Sequence, residues 1–169
     1  MASISRRSVL NILVLAVLLT ALPGAIRRMI QTGSFYPFSR EFFQDMLARL
    51  SGPARFRFIM QPVVAIVLGA RDGVKDARAG SPPFLWGLVF HPEHRKALVR
   101  SAFASVNVLV CIAILLDVVS QILIFRRVNP GAALLLGPVL IGLPYSLSRA
   151  ISNRITQRRS GSAPATRVS

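Results

Sequence analysis

Cysteine is nearly missing from this chain. Cys111 stands alone inside an apolar run, so neither an intrachain disulfide framework nor a metal-binding cysteine cluster is available. Lysine is almost as rare: only two of the 21 basic residues are Lys (Lys75 and Lys96), a bias that codon usage in a GC-rich genome explains without invoking function. A formal charge of +15 would suit nucleic acid, but no basic face with interleaved aromatics is present on a foldable soluble module, which excludes that partner. No complete catalytic set is found either, and neither a cofactor nor a metal is expected.

What is present is apolar. Hydrophobic residues make up 53% of the 169, above the ~45–50% that soluble domains reach even with Gly counted. The surplus belongs in lipid. Residues 8–26 form a run of 19 without charge, enough to cross a hydrocarbon core of ~30 Å. Residues 1–7 form a polar arm before it. The order Ser-Arg-Arg-Ser-Val-Leu (residues 5–10) is similar to a twin-arginine export signal, yet no Ala-x-Ala cleavage pattern follows and Arg27-Arg28 close the run as a stop-transfer flank does. The run is therefore expected to be an uncleaved anchor.

Residues 27–57 are aromatic and basic. Phe42, Phe43, Met46, Leu47 and Leu50 share a helical face, with Ser39 as N-cap, Glu41 and Asp45 near the positive helix end, and Gly52-Pro53 as terminator. Such a helix either lies in the membrane interface or packs on another helix. Residues 58–70, interrupted by Gln61-Pro62, are too short for an ordinary span and suit a re-entrant piece or a fourth membrane segment. They run on, still helical, into a charged segment at residues 71–100.

Gly80, Pro82 and Pro83 break that helix. Phe84 to Phe90 form a second short apolar strip, in which Trp86 suits the headgroup level. Pro92 and Glu93 suit a first helical turn, and a helix from Pro92 to Phe125 would be about 51 Å long, with residues 102–125 in lipid. A turn at residues 126–131 leads into a last span at 130–148. From Arg149 the chain carries five Arg and no acid and turns Ser/Gly/Ala/Pro-rich, so residues 149–169 are expected to be a disordered basic tail. The fold class is an all-α integral membrane protein with three firm transmembrane helices, amphipathic interfacial helices and one short segment.

Two topologies follow from these segments. With three spans, 17 Arg and Lys fall on one side and four on the other; with residues 58–70 as a fourth crossing, the split is 13 against eight. The positive-inside rule prefers the first. Both place residues 71–100 and the C-terminus in the cytoplasm, and they differ over the N-terminus and residues 27–57.

Three constellations carry chemical interest. Within Arg71, Asp72, Lys75, Asp76 and Arg78, the order Asp72-Gly73-x-x-x-Ala77-Arg78 is similar to the opening of the CDP-alcohol phosphatidyltransferase signature, whose Asp carboxylates hold divalent metal. Here the spacing is one residue too long, a turn of about 100° on a helix, and the downstream acid pair is absent. His91-Pro-Glu-His94 lacks the spacing that places two imidazoles on one helical face. In the span at 102–125, Asn107, Asp117 and Gln121 share one face with Arg100, a pattern lipid does not favour. Asp117 has no cation within reach on its own helix, so it is expected to be protonated and to donate to a neighbouring span, in a network that extends to Asn11.

Gln61-Pro62 and the run from Leu68 to Trp86 (LGARDGVKDARAGSPPFLW) resemble small bacterial inner-membrane proteins that bring no known activity. The resemblance implies location only. Ala133-x-x-x-Gly137 and Gly142-x-x-x-Ser146 are small-x-x-x-small patterns that let helices approach closely. The expectation is a non-catalytic assembly component whose partners are a bilayer with anionic headgroups and a second copy or another membrane protein. A proton-coupled transport component using Asp117 and a lipid-modifying enzyme using Asp72 and Asp76 are the alternatives.

Overall fold

The structure is a computed structural model that describes residues 5–52 and 55–161, together with all their side chains but those of 94, 160 and 161. Residues 1–4 of the expected arm, Pro53, the His94 side chain and residues 162–169 of the expected tail lie outside that description.

Six helices and a 3₁₀ turn follow in order: α1 (Arg6–Thr32), the 3₁₀ turn Tyr36–Phe38, α2 (Arg40–Ser51), α3 (Arg57–Arg78), α4 (Phe84–Phe90), α5 (Pro92–Phe125) and α6 (Pro130–Gly161). No strand occurs among the described residues. Three helices are long and apolar enough to cross a membrane, at Arg6–Thr32, Arg95–Phe125 and Pro130–Arg159. Local chemistry sets several of the ends. Ser39 Oγ accepts from Phe42 N (3.2 Å) at the start of α2, and Pro92 and Glu93 open α5. Arg95 donates to the Leu88 and Val89 carbonyls (2.6 and 2.9 Å), which the end of α4 leaves without helical partners. Arg126 ends α5 in the left-handed region (φ 53°), a conformation that usually falls to Gly or Asn.

The helix after Pro130 corrects the expected tail. α6 continues to Gly161, so Arg149 begins no disordered segment; its side chain is buried and paired. A charge-based boundary fails there because the charge is answered inside the protein.

The described residues cluster into two compact units, Met1–Pro62 with Val106–Ile141, and Val63–Ser105 with Gly142–Ser169. In the first unit Val14 of α1, Cys111, Ile114 and Val118 of α5 and Ala133 of α6 form one apolar core; Tyr36, Phe42, Ala132 and Leu136 form a second. The aromatic face of α2 divides: Phe42 is buried there with Met46 against it, whereas Phe43, Leu47 and Leu50 stay exposed. Gly137 accepts Ile114 so closely that a Cβ would meet its Cγ1 at 2.8 Å, so this small residue serves packing within the chain. Gly142 has nothing within 4 Å of its would-be Cβ.

The first unit fixes the relative direction of two of its long helices. Cys111 Sγ donates to Asn11 Oδ1 (3.1 Å), and seventeen residues further along α1 Arg28 shares the Glu41 carboxylate with Arg127, at 3.2 and 2.7 Å. α1 and α5 therefore run in the same direction, and their C-terminal ends lie together with α2. The three-span arrangement sets residues 27–57 and Arg126-Arg127 on opposite sides, whereas here one carboxylate holds an Arg from each.

In the second unit α3 and α6 lie in direct backbone contact. A Cβ on Gly69 would strike the Tyr145 carbonyl oxygen, and one on Gly73 would strike that of Arg149. Both positions step by four residues in the same direction, so the two helices run parallel. Ser148 Oγ donates to the Ile66 carbonyl (2.7 Å) along the same seam.

Candidate functional site

Each unit holds a polar cluster built by long-range pairing. In the first unit, the 22-residue helix α3 opens with Arg57, whose Nη2 donates to Asp117 Oδ1 at 2.6 Å; both side chains are 1% exposed. The second Asp117 oxygen accepts from Gln121 Nε2 (2.7 Å), one turn along α5. Gln121 Oε1 in turn accepts from Asn129 N (2.6 Å) and so fastens the turn that starts α6. The Arg57 guanidinium also lies 4.8 Å from the Phe58 ring centre.

This geometry corrects the expectation for Asp117. The carboxylate accepts on both oxygens, and its cation comes from another helix, so it is not a donor without a charged partner. Asp117 and Gln121 are brought together as their common face implies. Asn107 does not join them, nor does Asn11, which accepts from Cys111 instead, while Arg100 is exposed.

A second array lies at the α2 end of the same unit. Tyr36 donates to Asp45 Oδ2 (2.5 Å), Arg127 reaches both Asp45 (3.2 Å) and Glu41 (2.7 Å), and Arg28 reaches Glu41 (3.2 Å). Arg49, 1% exposed, places its guanidinium 5.7 and 5.4 Å from the Phe42 and Phe125 ring centres. Burial, reinforced by the hydrogen bond to Asp45, pushes the Tyr36 hydroxyl well above its ordinary titration range, so it remains a proton donor.

In the second unit the acids of the charged motif turn inward. Arg149 Nε and Nη2 hold the two oxygens of Asp76 at 2.7 and 3.1 Å, the paired fork that guanidinium and carboxylate geometry favours. Its Nη1 donates to the Tyr145 hydroxyl (3.0 Å), its Nη2 also donates to Ser101 Oγ (3.1 Å), and its plane lies 4.7 Å from the Phe84 ring centre. Tyr145 passes a hydrogen bond to Asp72 Oδ2 (2.8 Å). Asn153 Nδ2 donates to the Ser81 carbonyl (3.2 Å) beyond the end of α3. Arg71, Lys75 and Arg78 point to the exposed side, with Lys75 no nearer to Asp72 than 4.0 Å.

Sequence reasoning found Asp117, Gln121, Asp72 and Asp76 but missed Arg57, Tyr145 and Arg149. A signal for the last two was present. Asp72 and Asp76 are four apart on the face that also carries Gly69 and Gly73, and Tyr145 and Arg149 repeat that spacing on α6, so two parallel helices can pair them rung by rung. His91 and Glu93 sit on either side of the α5 start, and among the described residues no three His, Cys, Asp or Glu side chains are placed to hold a metal.

Comparison with protein-family models, with curated proteins and with solved structures finds no match for this chain. No activity reaches the site from a relative, and its chemistry has to be read from its own residues.

Proposed function

We propose that this chain is a four-crossing membrane protein with a non-catalytic role in assembly, in which α3 is the fourth crossing. The observation that carries this reading is the use of its carboxylates. Of six acidic residues, Glu41, Asp45, Asp72, Asp76 and Asp117 each accept a bond from an Arg or Tyr elsewhere in the chain, and Glu93 stands in the first turn of α5. Groups held in this way join helices. They are poorly placed for turnover, and a lipid-modifying enzyme would need Asp72 and Asp76 to leave Tyr145 and Arg149 before either met a metal.

Of the charges on α3, Arg57 and Asp76 are met by Asp117 and Arg149 and Asp72 accepts from Tyr145, which lowers the cost of placing them at membrane depth, while the exposed Arg71, Lys75 and Arg78 gather at the C-terminal end of the helix. With α3 crossing, the N-terminal arm, residues 71–100 and the C-terminal end of the chain hold 13 Arg and Lys against eight, which on the positive-inside rule makes theirs the cytoplasmic side of a bacterial inner membrane. The partners are anionic headgroups and a second membrane-embedded chain.

The experiment joins topology to assembly. Reporter fusions at Thr32 and near Arg78 should report opposite sides, and in-cell crosslinking should capture a second copy or another membrane protein. Fusions on the same side remove the fourth crossing, and a strictly monomeric protein with no crosslinked partner removes the assembly role.

A further inference from the structure

Two cavities flank the last two turns of α1 in the first unit, of about 210 and 290 Å³, and they share Ala25, Arg28, Tyr36 and Asn129 in their walls. The walls are mixed. Leu22, Ile26, Met29 and Leu134 line the first cavity together with Arg28 and Glu41; Arg127 lines the second. Asn129, Pro130 and Gly131, which begin the 32-residue helix α6, line the first cavity too, so the start of that helix borders the same space as Arg28. Arg28 and Arg127 line these walls beside one acid, Glu41.

We propose that this cleft binds one anionic phospholipid, with its phosphate between Arg28 and the start of α6 and one acyl chain along Leu22, Ile26, Met29 and Leu134. Charge complementarity selects the headgroup: Arg28 spends one N–H on Glu41 and has five in all, which leaves its fork able to reach a phosphate oxygen as well. The mostly apolar wall selects an amphiphile over a free anion, since concave sites take ligands that match an apolar body and a few placed polar groups. Tyr36, buried and committed to Asp45, forms a fixed floor.

The inference rests on the membrane reading, which membrane fractionation of the full chain tests separately. The site itself is tested on the full-length protein in neutral detergent micelles doped with phosphatidylglycerol or phosphatidylcholine, by thermal unfolding and by native mass spectrometry of retained lipid. Phosphatidylglycerol should raise the unfolding midpoint more than phosphatidylcholine does. Arg28→Gln and Ala25→Phe should each weaken phosphatidylglycerol binding about tenfold, the first by removing the charge-assisted bond and the second by filling the cleft with every charge intact. Arg27→Gln, which removes the same charge from an exposed neighbour outside both cavities, should leave binding unchanged. Equal stabilisation by the two lipids overturns the site. So does equal loss in Arg27→Gln and Arg28→Gln, which would make the effect one of overall charge, and so does a full shift produced by inorganic phosphate alone.

Discussion

Arg57 and Asp117, sixty residues apart in sequence, meet at 2.6 Å with each side chain 1% exposed. A pair so thoroughly removed from solvent is costly to form and costlier to halve, because the remaining charge keeps its desolvation penalty after its partner has gone. Asp117→Leu should therefore lower stability by about 3–5 kcal/mol, while Asp117→Asn, which keeps one acceptor for Arg57 but turns an NH2 toward the Gln121 donor, should cost less, about 1–3 kcal/mol. The double variant Arg57→Met/Asp117→Leu should recover most of the loss of Asp117→Leu. Unfolding of the purified variants in detergent measures the series. A double variant as unstable as Asp117→Leu would show that the pair is not the source of the cost, and a proton-coupled role would instead leave Asp117→Asn abundant but inactive in the cell.

The contact of Gly69 and Gly73 with the Tyr145 and Arg149 backbone gives a second expectation. Added Cβ atoms would meet carbonyl oxygens belonging to a helix backbone, which cannot rotate aside as a side-chain tip does. Gly73→Ala should force α3 away from α6 and cost about 1–3 kcal/mol, the usual range for overpacking, although Ala is the better helix former by nearly 1 kcal/mol. Gly142→Ala, with open space at its would-be Cβ, should be neutral or slightly stabilising. Equal effects of the two substitutions, measured by thermal unfolding, would contradict the close crossing.

The parts of this fold that were legible in the sequence are the ones governed by local pattern. The uncharged run of α1, Pro92 at the start of α5 and the Ser39 cap of α2 all follow from periodicity and end chemistry, and the structure places them there. Wherever a charge is answered by a residue far along the chain, sequence reasoning went astray. Arg149 read as the start of a tail because nothing near it is acidic; its acid, Asp76, lies 73 residues earlier. Asp117 read as protonated because its own helix offers no cation; its partner, Arg57, lies sixty residues earlier. The continuation of residues 58–70 into the charged segment was legible, and α3 runs unbroken from Arg57 to Arg78, but the partners that answer its charges lie too far along the chain to be read.

Tyr36 makes the stability of the first unit depend on high pH. Burial and the bond to Asp45 raise its folded-state titration above the ordinary value of about 10, so the folded form keeps the proton where the unfolded chain has already released it. The contribution is therefore fully present below pH ~10 and is lost as pH rises from there through the folded-state value. Tyr36→Phe, which cannot ionise, should unfold at lower denaturant or temperature at neutral pH, by about 1 kcal/mol for the lost hydrogen bond to a charged group, and the gap to wild type should narrow above pH ~10. A gap that is constant from neutral to strongly alkaline pH would show that this hydroxyl does not titrate differently in the folded state.

Asp72 and Asp76 separate a scaffold from an enzyme, because the two roles rank them differently. In the structure Asp76 holds both arms of the Arg149 fork, and the guanidinium also meets Tyr145, Ser101 and the Phe84 ring, whereas Asp72 accepts the Tyr145 hydroxyl and stands 4.0 Å from a largely exposed Lys75. Losing Asp76 strands a buried cation; losing Asp72 removes one neutral donor's partner and an exposed ion pair of little worth. As a scaffold, the protein should lose about 3 kcal/mol in Asp76→Ala and about 1 kcal/mol in Asp72→Ala, and Arg149→Lys should fall close to Asp76→Ala, since one ammonium cannot reproduce the fork together with the bonds to Tyr145 and Ser101. Abundance in the membrane and unfolding in detergent should follow that order together. A metal-using enzyme predicts instead that Asp72→Asn and Asp76→Asn remove activity alike while both proteins stay abundant. Equal abundance of the two variants beside a changed headgroup composition in cells carrying either one would exchange the scaffold reading for the enzymatic one.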